Sequence, residues 1–185
     1  MEAWSHAYAA RMAGDRLDSI DPRADGDSAS DQALFAALRE IVGAAAMVSK
    51  LASEPGLRRR AGESTADFKR RKTRAAARAS AISTALETGS LPTVTSRAVR
   101  NSIEHYDERM DEWFLALDRP TAVTFDGVVL EAFERHGVVG AQHLKSFERA
   151  TSTFNVAGQT INMGVLREEL RAVGQRAEEW HELHP

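Results

Sequence analysis

The chain of 185 residues contains no cysteine, which excludes disulfide bonds, thiolate zinc sites and thiol nucleophiles. Its longest apolar run, residues 41–48, is far shorter than the ~20 residues that cross a bilayer. The N-terminal residues lack an apolar run followed by a small-residue cleavage site, so we predict no signal peptide. Together these absences predict a soluble, cytoplasmic protein with no membrane partner.

Sequence signatures of several enzyme classes are absent as well. There is no glycine-rich phosphate loop, no nucleophile elbow and no HExxH motif. Glu178 and His181 have the spacing of a di-iron half-site, but the second half-site that such a centre needs is missing. His181 and His184 fit better as residues favoured by the dipole of a helix C-terminus. His136 and His143 have no carboxylate cluster nearby, so we expect no metal and no cofactor.

Length and composition are those of one globular domain. The chain is long enough to bury a core without a metal or a disulfide, and its apolar content of 43% is near the globular average. The net charge of −3 argues neither for nor against a nucleic-acid partner. We expect residues 1–28 to form an N-terminal arm or short helix, and residues 29–185 to form a single domain.

Helical periodicity dominates the first two thirds of the chain. A short amphipathic helix is predicted within residues 1–20. The capping sequences SASD (28–31) and STAD (64–67) begin two further helices, which end before EPG (54–56) and near Gly89.

The remaining segments complete the predicted fold. A third long helix begins about Ser96 and runs to residue 117, whereas residues 121–145 show no pattern that decides their state. Alternation around an Ala-Gly pair in residues 151–162 predicts a β-hairpin, and helical spacing returns at Gly164. One face of that last helix carries its apolar residues, Leu166, Leu170, Val173, Ala177 and Trp180. The fold class predicted is all-α, a helical bundle with a small β-hairpin before the C-terminal helix.

The stretch RNSIEHYDERMDEW, residues 100–113, separates apolar and charged residues by helical spacing. Its core stripe consists of Val99, Ile103, Tyr106, Met110, Trp113 and Leu117. Its polar side includes Arg100, Asn101, Glu104 and His105. Such a side is also typical of a solvated helix surface held by i,i+4 ion pairs, and the spacing alone does not decide between these interpretations.

The same residues resemble the signature of the HEPN superfamily, all-α domains many of which are RNases. That signature is an Arg, usually a polar residue next, and a His a few residues later on one helix; here Arg100 precedes Asn101, and Glu104 precedes His105. The helical order extends the resemblance loosely over residues 30–184. It implies a HEPN-like domain whose homodimer brings two such helices together, with Arg100 and His105 catalytic.

The residue types suit RNA cleavage without a metal, because the 2′-OH of RNA can attack the neighbouring phosphate. Histidine titrates near neutrality and can take up and return a proton. Arginine keeps its charge and can stabilise the developing negative charge on the phosphate. Asn101 and Glu104 are candidates for orienting the pair.

A second candidate site is the basic segment 58–78, which holds nine Lys or Arg residues against two acids. Its net charge of +7 within an acidic chain is typical of a phosphate-binding surface, and equally of a solvated helix that pairs with acidic helices. Only Phe68 is aromatic there, so base stacking is not predicted. The candidate RNA-binding residues are Lys69, Arg70, Arg71, Arg74 and Arg78.

The leading hypothesis is therefore a dimeric, metal-independent endoribonuclease that leaves 2′,3′-cyclic phosphate ends. A toxin or defence role, with an antitoxin or regulatory protein as partner, belongs to the same hypothesis. Two alternatives stay open: a non-catalytic HEPN-like dimeric interaction module, and a basic-helix nucleic-acid binder without chemistry.

Overall fold

The computed structural model describes residues 2–24, 27–96, 99, 106–117, 122–135 and 141–183. Within these residues the chain forms six α-helices and four β-strands. In chain order they are α1 (Glu2–Ser19), α2 (Ser28–Ala52), α3 (Thr65–Ala85), α4 (Tyr106–Leu115), β1 (Ala122–Val129), α5 (Leu130–Arg135), β2 (Ala141–Glu148), β3 (Thr153–Val156), β4 (Gln159–Asn162) and α6 (Met163–Leu183). The fold is mostly helical, as the sequence periodicity predicts.

Helix α1 packs against both α2 and α6, and so belongs to the central core. Its buried positions carry small side chains, Ala7, Ala10 and Ala13 among them, which let the helix axes approach closely. On the surface, the Arg167 guanidinium of α6 donates to both carboxylate oxygens of Asp18, at 2.9 and 2.6 Å. These hydrogen bonds hold the pKa of Asp18 below its usual value. The helix predicted within residues 1–20 is confirmed.

The capping residues of α2 and α3 explain where these helices begin. The Asp27 carboxylate accepts the Ser30 N–H at 3.2 Å, so the N-cap of α2 lies one residue before the predicted SASD sequence. The Ser64 hydroxyl accepts the Asp67 N–H at 3.1 Å, which confirms the predicted start of α3. Helix α2 carries eleven of the buried residues, whereas Ala79 is the single buried residue of α3. Helix α3 therefore buries only a narrow face against the rest of the protein.

A four-stranded sheet, with strand order β1-β2-β3-β4, corrects the prediction of an all-α bundle. The predicted hairpin is confirmed as β3–β4, and Ala157 and Gly158 at its tip have the positive φ angles of a type I′ turn. The additional strands β1 and β2 pair in parallel and come from the stretch without a predicted state. The pairing of β1 with β2 is irregular, because the register shifts by one residue between Thr124 and Gly127.

Gly127 fixes how closely the sheet approaches α2. A Cβ atom added at this position would lie 2.3 to 2.5 Å from three ring carbons of Phe35. The Phe35 ring also contacts Phe154 of β3, with centroids 6.1 Å apart. Only glycine allows an aromatic ring to lie this close to the strand backbone.

Helix α6 confirms most of its predicted apolar face. Leu166, Leu170 and Val173 are buried, and Ala177 is partly buried. Trp180, predicted on the same face, is 48% exposed. Trp180 is exposed because the last turns of α6 extend beyond the core that the first turns of this helix cover.

Candidate nucleic-acid interface

The four residues of the predicted catalytic group, Arg100, Asn101, Glu104 and His105, lie outside the described part of the chain. The structure describes Ser96 and Val99 before this group and helix α4 after it. Val99 is buried as predicted, and its N–H donates to the Ser96 hydroxyl at 3.2 Å. This i to i+3 bond has the geometry used at helix N-caps.

Helix α4, which begins at Tyr106, keeps the predicted separation of apolar and acidic residues. Met110 and Trp113 are half-buried, and Trp113 lies 3.9 Å from the position a Cβ of Gly158 would take. The acidic residues of α4 are exposed, namely Asp107, Glu108, Asp111 and Glu112. Phe114 and Leu115, at the end of the helix, are exposed as well.

A buried carboxylate holds the loop that leads toward residue 100. Glu169 of α6 accepts the Thr93 N–H at 3.1 Å and the Val94 N–H at 2.7 Å. Val94 is itself fully buried, so the loop is fixed by a side chain in the core and by two charge-assisted hydrogen bonds. Helical spacing alone gives no signal for this role, because Glu169 resembles any other acid of an amphipathic helix.

The basic segment contains some cations that carboxylates hold and others that stay exposed. Arg71 donates to both oxygens of Glu63, each at 2.8 Å, and to the Arg58 carbonyl at 2.9 Å. Arg70 pairs with Asp67, one turn earlier. Arg71 therefore holds the chain before α3 against the first turns of that helix, and its role as an RNA-binding residue stays a prediction.

The Glu63 carboxylate is the acceptor at the centre of this arrangement. Hydrogen bonds from Arg71 and from the Arg60 N–H lower its pKa to about 2. The same contact raises the pKa of Arg71. Both charges are thus present at all physiological pH values.

Arg70, Arg74 and Arg78 form what we call the arginine stripe, a row of exposed cations along one side of α3. Their spacing of four residues places them about 6 Å apart along the helix axis. Arg74 and Arg78 form no ion pair with any residue that the structure describes. Lys69 is exposed too, but helical geometry places it roughly 140° around the axis from Arg74.

The arginine stripe leads into an open apolar pocket, which we call the tryptophan groove. It lies where α1 begins, α2 and α6 end and the last turns of α3 pass. Leu51, Ile82 and Trp180 contribute apolar surface, and the charged residues lining it are Arg78 and Glu2. Tertiary structure thus brings an exposed indole next to a basic helix that contains no tryptophan of its own.

The histidines offer no metal site within the described ranges. No group of three or more His, Cys, Asp or Glu side chains with the spacing of a metal centre occurs in that part of the chain. His143 is instead bound to Thr124 across the β1–β2 pair, with 2.8 Å between Nδ1 and Oγ1, and burial lowers its pKa. His136 and His184 lie outside the described residues.

None of the helices in the described ranges is long and apolar enough to cross a membrane. The chain matches no protein-family model, no curated protein and no solved structure. What the fold and the surface define is a mostly helical chain with a mixed four-stranded sheet and a basic helix, α3, that is largely exposed.

Proposed function

We propose that this protein binds RNA and cleaves it as a metal-independent, HEPN-type endoribonuclease acting as a homodimer. The observation that carries the RNA-binding part is the arginine stripe, in which Arg74 and Arg78 are exposed and lack ion pairs within the described chain. Arginine side chains that are not held by carboxylates are available to phosphate oxygens. The cleavage part rests on the sequence resemblance around Arg100 and His105.

The chemistry proposed follows from the side chains and the substrate. The 2′ oxygen of one nucleotide attacks the adjacent phosphorus, and His105 accepts the 2′-OH proton. As the bond from phosphorus to the 5′ oxygen breaks, the protonated His105 returns the proton to that oxygen, and Arg100 stabilises the charge on the phosphate. The products carry a 2′,3′-cyclic phosphate and a free 5′-OH. A toxin or defence role in the cytoplasm, controlled by an antitoxin or regulatory protein, is part of the same proposal.

The binding part is tested by titrating labelled single-stranded RNA against the protein at several salt concentrations. Arg74→Gln with Arg78→Gln should lower the affinity and flatten the salt dependence, by about 0.7 in the log–log slope for each phosphate that is no longer neutralised. Lys69→Gln is the matched control for Arg74→Gln alone, because each removes one charge from the same helix but from a different side. Equal effects of these two single variants would contradict a localised phosphate site.

A second candidate is the non-catalytic interaction module. The observation that favours it is the exposure of Phe114 and Leu115 beside the acidic residues of α4, since adjacent exposed apolar side chains are typical of protein interfaces. Light scattering on wild type and on Phe114→Ser with Leu115→Ser distinguishes the two. If dimers form through α4 and RNA is neither bound nor cut, the interaction module is the better description.

A further inference from the structure

The tryptophan groove combines two features that occur together in proteins that bind single-stranded nucleic acid, an accessible aromatic side chain and a neighbouring cation. Trp180 is 48% exposed and lines the groove, so its side chain is accessible to a ligand there. Arg78 lines the same groove and is the last member of the arginine stripe. A cationic path that ends at an aromatic ring matches the phosphate and base of one nucleotide.

The small side chains that line the groove favour a flat ligand. Ala81 and Ala85 of α3 and Ala177 of α6 line it together with Trp180, so short side chains and one indole make up much of its surface. A protein helix docking in a groove needs several large pockets at i, i+3, i+4 and i+7 spacing. A single planar ring needs one aromatic side chain to stack on and small neighbours that leave room for it, and residues of both kinds line the groove.

We propose that the tryptophan groove is a stacking subsite for one unpaired base of a single-stranded RNA, with Arg78 holding an adjacent phosphate. This inference rests on the proposed RNA binding and adds to it the class of RNA and the place of one base. Double-stranded RNA is a poor ligand for the subsite, because its bases are stacked within the duplex.

The carboxylate of Glu2 allows a test of whether the ligand in the groove is negatively charged. Among the described residues that line the groove it is the acidic one, and its charge repels a phosphate there. Two acids of α6, Glu178 and Glu182, are each two residues from Trp180 and therefore lie on the far side of that helix. Removing the Glu2 charge should strengthen RNA binding by roughly two- to fivefold at low salt.

Fluorescence isolates the subsite, because the chain has only three tryptophans. The variant Trp4→Phe with Trp113→Phe leaves Trp180 as the sole emitter. It is titrated with a 2′-O-methyl oligoribonucleotide of about eight nucleotides, which resists cleavage, and with an abasic oligomer of the same length and charge. The first should quench Trp180 emission by stacking, and the second should bind through the arginine stripe without quenching.

Affinity measurements complete the test. Trp180→Ala should weaken binding of the oligoribonucleotide roughly tenfold, and Trp180→Phe should recover a large part of that loss because a ring is restored. Trp4→Ala is the matched control: Trp4 is similarly exposed but stacks on Tyr8 of α1, away from the groove lining. If Trp180→Ala proves unfolded, the quenching experiment and Trp180→Phe decide the question.

The outcomes separate the subsite from the proposed function. Binding of RNA with unchanged Trp180 emission, or equal effects of Trp180→Ala and Trp4→Ala, would overturn the stacking subsite and leave RNA binding intact. Absence of RNA binding at low salt would overturn both. Quenching by an acidic amphipathic peptide but not by RNA would reassign the groove to a protein partner.

Discussion

The Glu169 carboxylate and the Val94 N–H are joined by a 2.7 Å hydrogen bond across 75 residues of sequence. The second carboxylate oxygen accepts the Thr93 N–H at 3.1 Å. Because both Glu169 and Val94 are buried, the bond ties the loop after α3 to the core helix α6. The chain that continues toward Arg100 therefore starts from a fixed point.

Replacing Glu169 by Ala should lower the free energy of unfolding by about 2 kcal/mol, because the buried Val94 N–H would lose its acceptor. Urea denaturation followed by circular dichroism measures the change. Glu168→Ala is the control, since the exposed pair of Glu168 with Arg171 should contribute less than about 0.5 kcal/mol. Similar losses in both variants would show that Glu169 has no special role.

Gly127→Ala should destabilise the protein by about 1 to 3 kcal/mol, the usual cost of overpacking a core. The added methyl group would overlap the Phe35 ring, and neither the strand backbone nor the buried ring can move away freely. Gly89→Ala has open space around the new methyl group and should leave the midpoint of thermal unfolding almost unchanged.

Phe35→Leu combined with Gly127→Ala extends that test. The smaller side chain makes room for the methyl group, so the double variant should be more stable than the sum of the single losses predicts. Strict additivity would mean that the strain at Gly127 does not come from Phe35.

The Glu63–Arg71 pair should make the start of α3 sensitive to acid. The pKa of Glu63 is lowered from 4.5 to about 2 in the folded chain, so its stabilising effect is complete above pH 4.5. That effect is lost as the pH falls from about 4.5 to about 2, where the carboxylate takes up a proton. Carboxyl chemical shifts measured by NMR should give a midpoint near 2 in wild type. In Arg71→Gln the midpoint should move toward 4.5.

His105→Ala and Arg100→Ala should each abolish most RNA cleavage, and the double variant should lose little more. Residues that act on one step are strongly non-additive, because removing either already disables the step. Cyclic phosphate ends should be found on the products, and EDTA should not reduce the rate. Both positions lie off the predicted apolar stripe, so stability should change by less than about 0.5 kcal/mol. An EDTA-sensitive rate, or full activity of His105→Ala, would remove this mechanism.

The helices α1, α2, α3 and α6 could be predicted because their signals are local. Apolar residues recur at helical spacing, and the cap of α3 lies within four residues of sequence. The hairpin β3–β4 is local as well, since its two strands are adjacent and the turn between them has two residues. Local hydrogen bonds and side-chain spacing are what a sequence pattern contains directly.

Strand β1 could not be predicted in the same way, because its parallel partner β2 follows only after an intervening helix. Strand β2 depends on both neighbours, since it pairs in parallel with β1 and antiparallel with the nearby β3. The parallel pair needs the intervening α5, and its register is irregular at Gly127. Glycine is required at position 127 because of the Phe35 ring, and Phe35 lies far earlier in the chain. Pairing between distant segments depends on the packing of the whole chain rather than on local preference.

By itself, the sequence determined the mostly helical fold, the basic character of α3 and the candidate catalytic pair Arg100 and His105, since composition and spacing carry that information. Tertiary structure alone decided which charges are available, because Arg71 is held by Glu63 whereas Arg74 and Arg78 remain exposed. It also brought Trp180 of α6 to the end of the arginine stripe. A surface is defined by residues that are close in space, and packing brings together residues that are far apart in the chain.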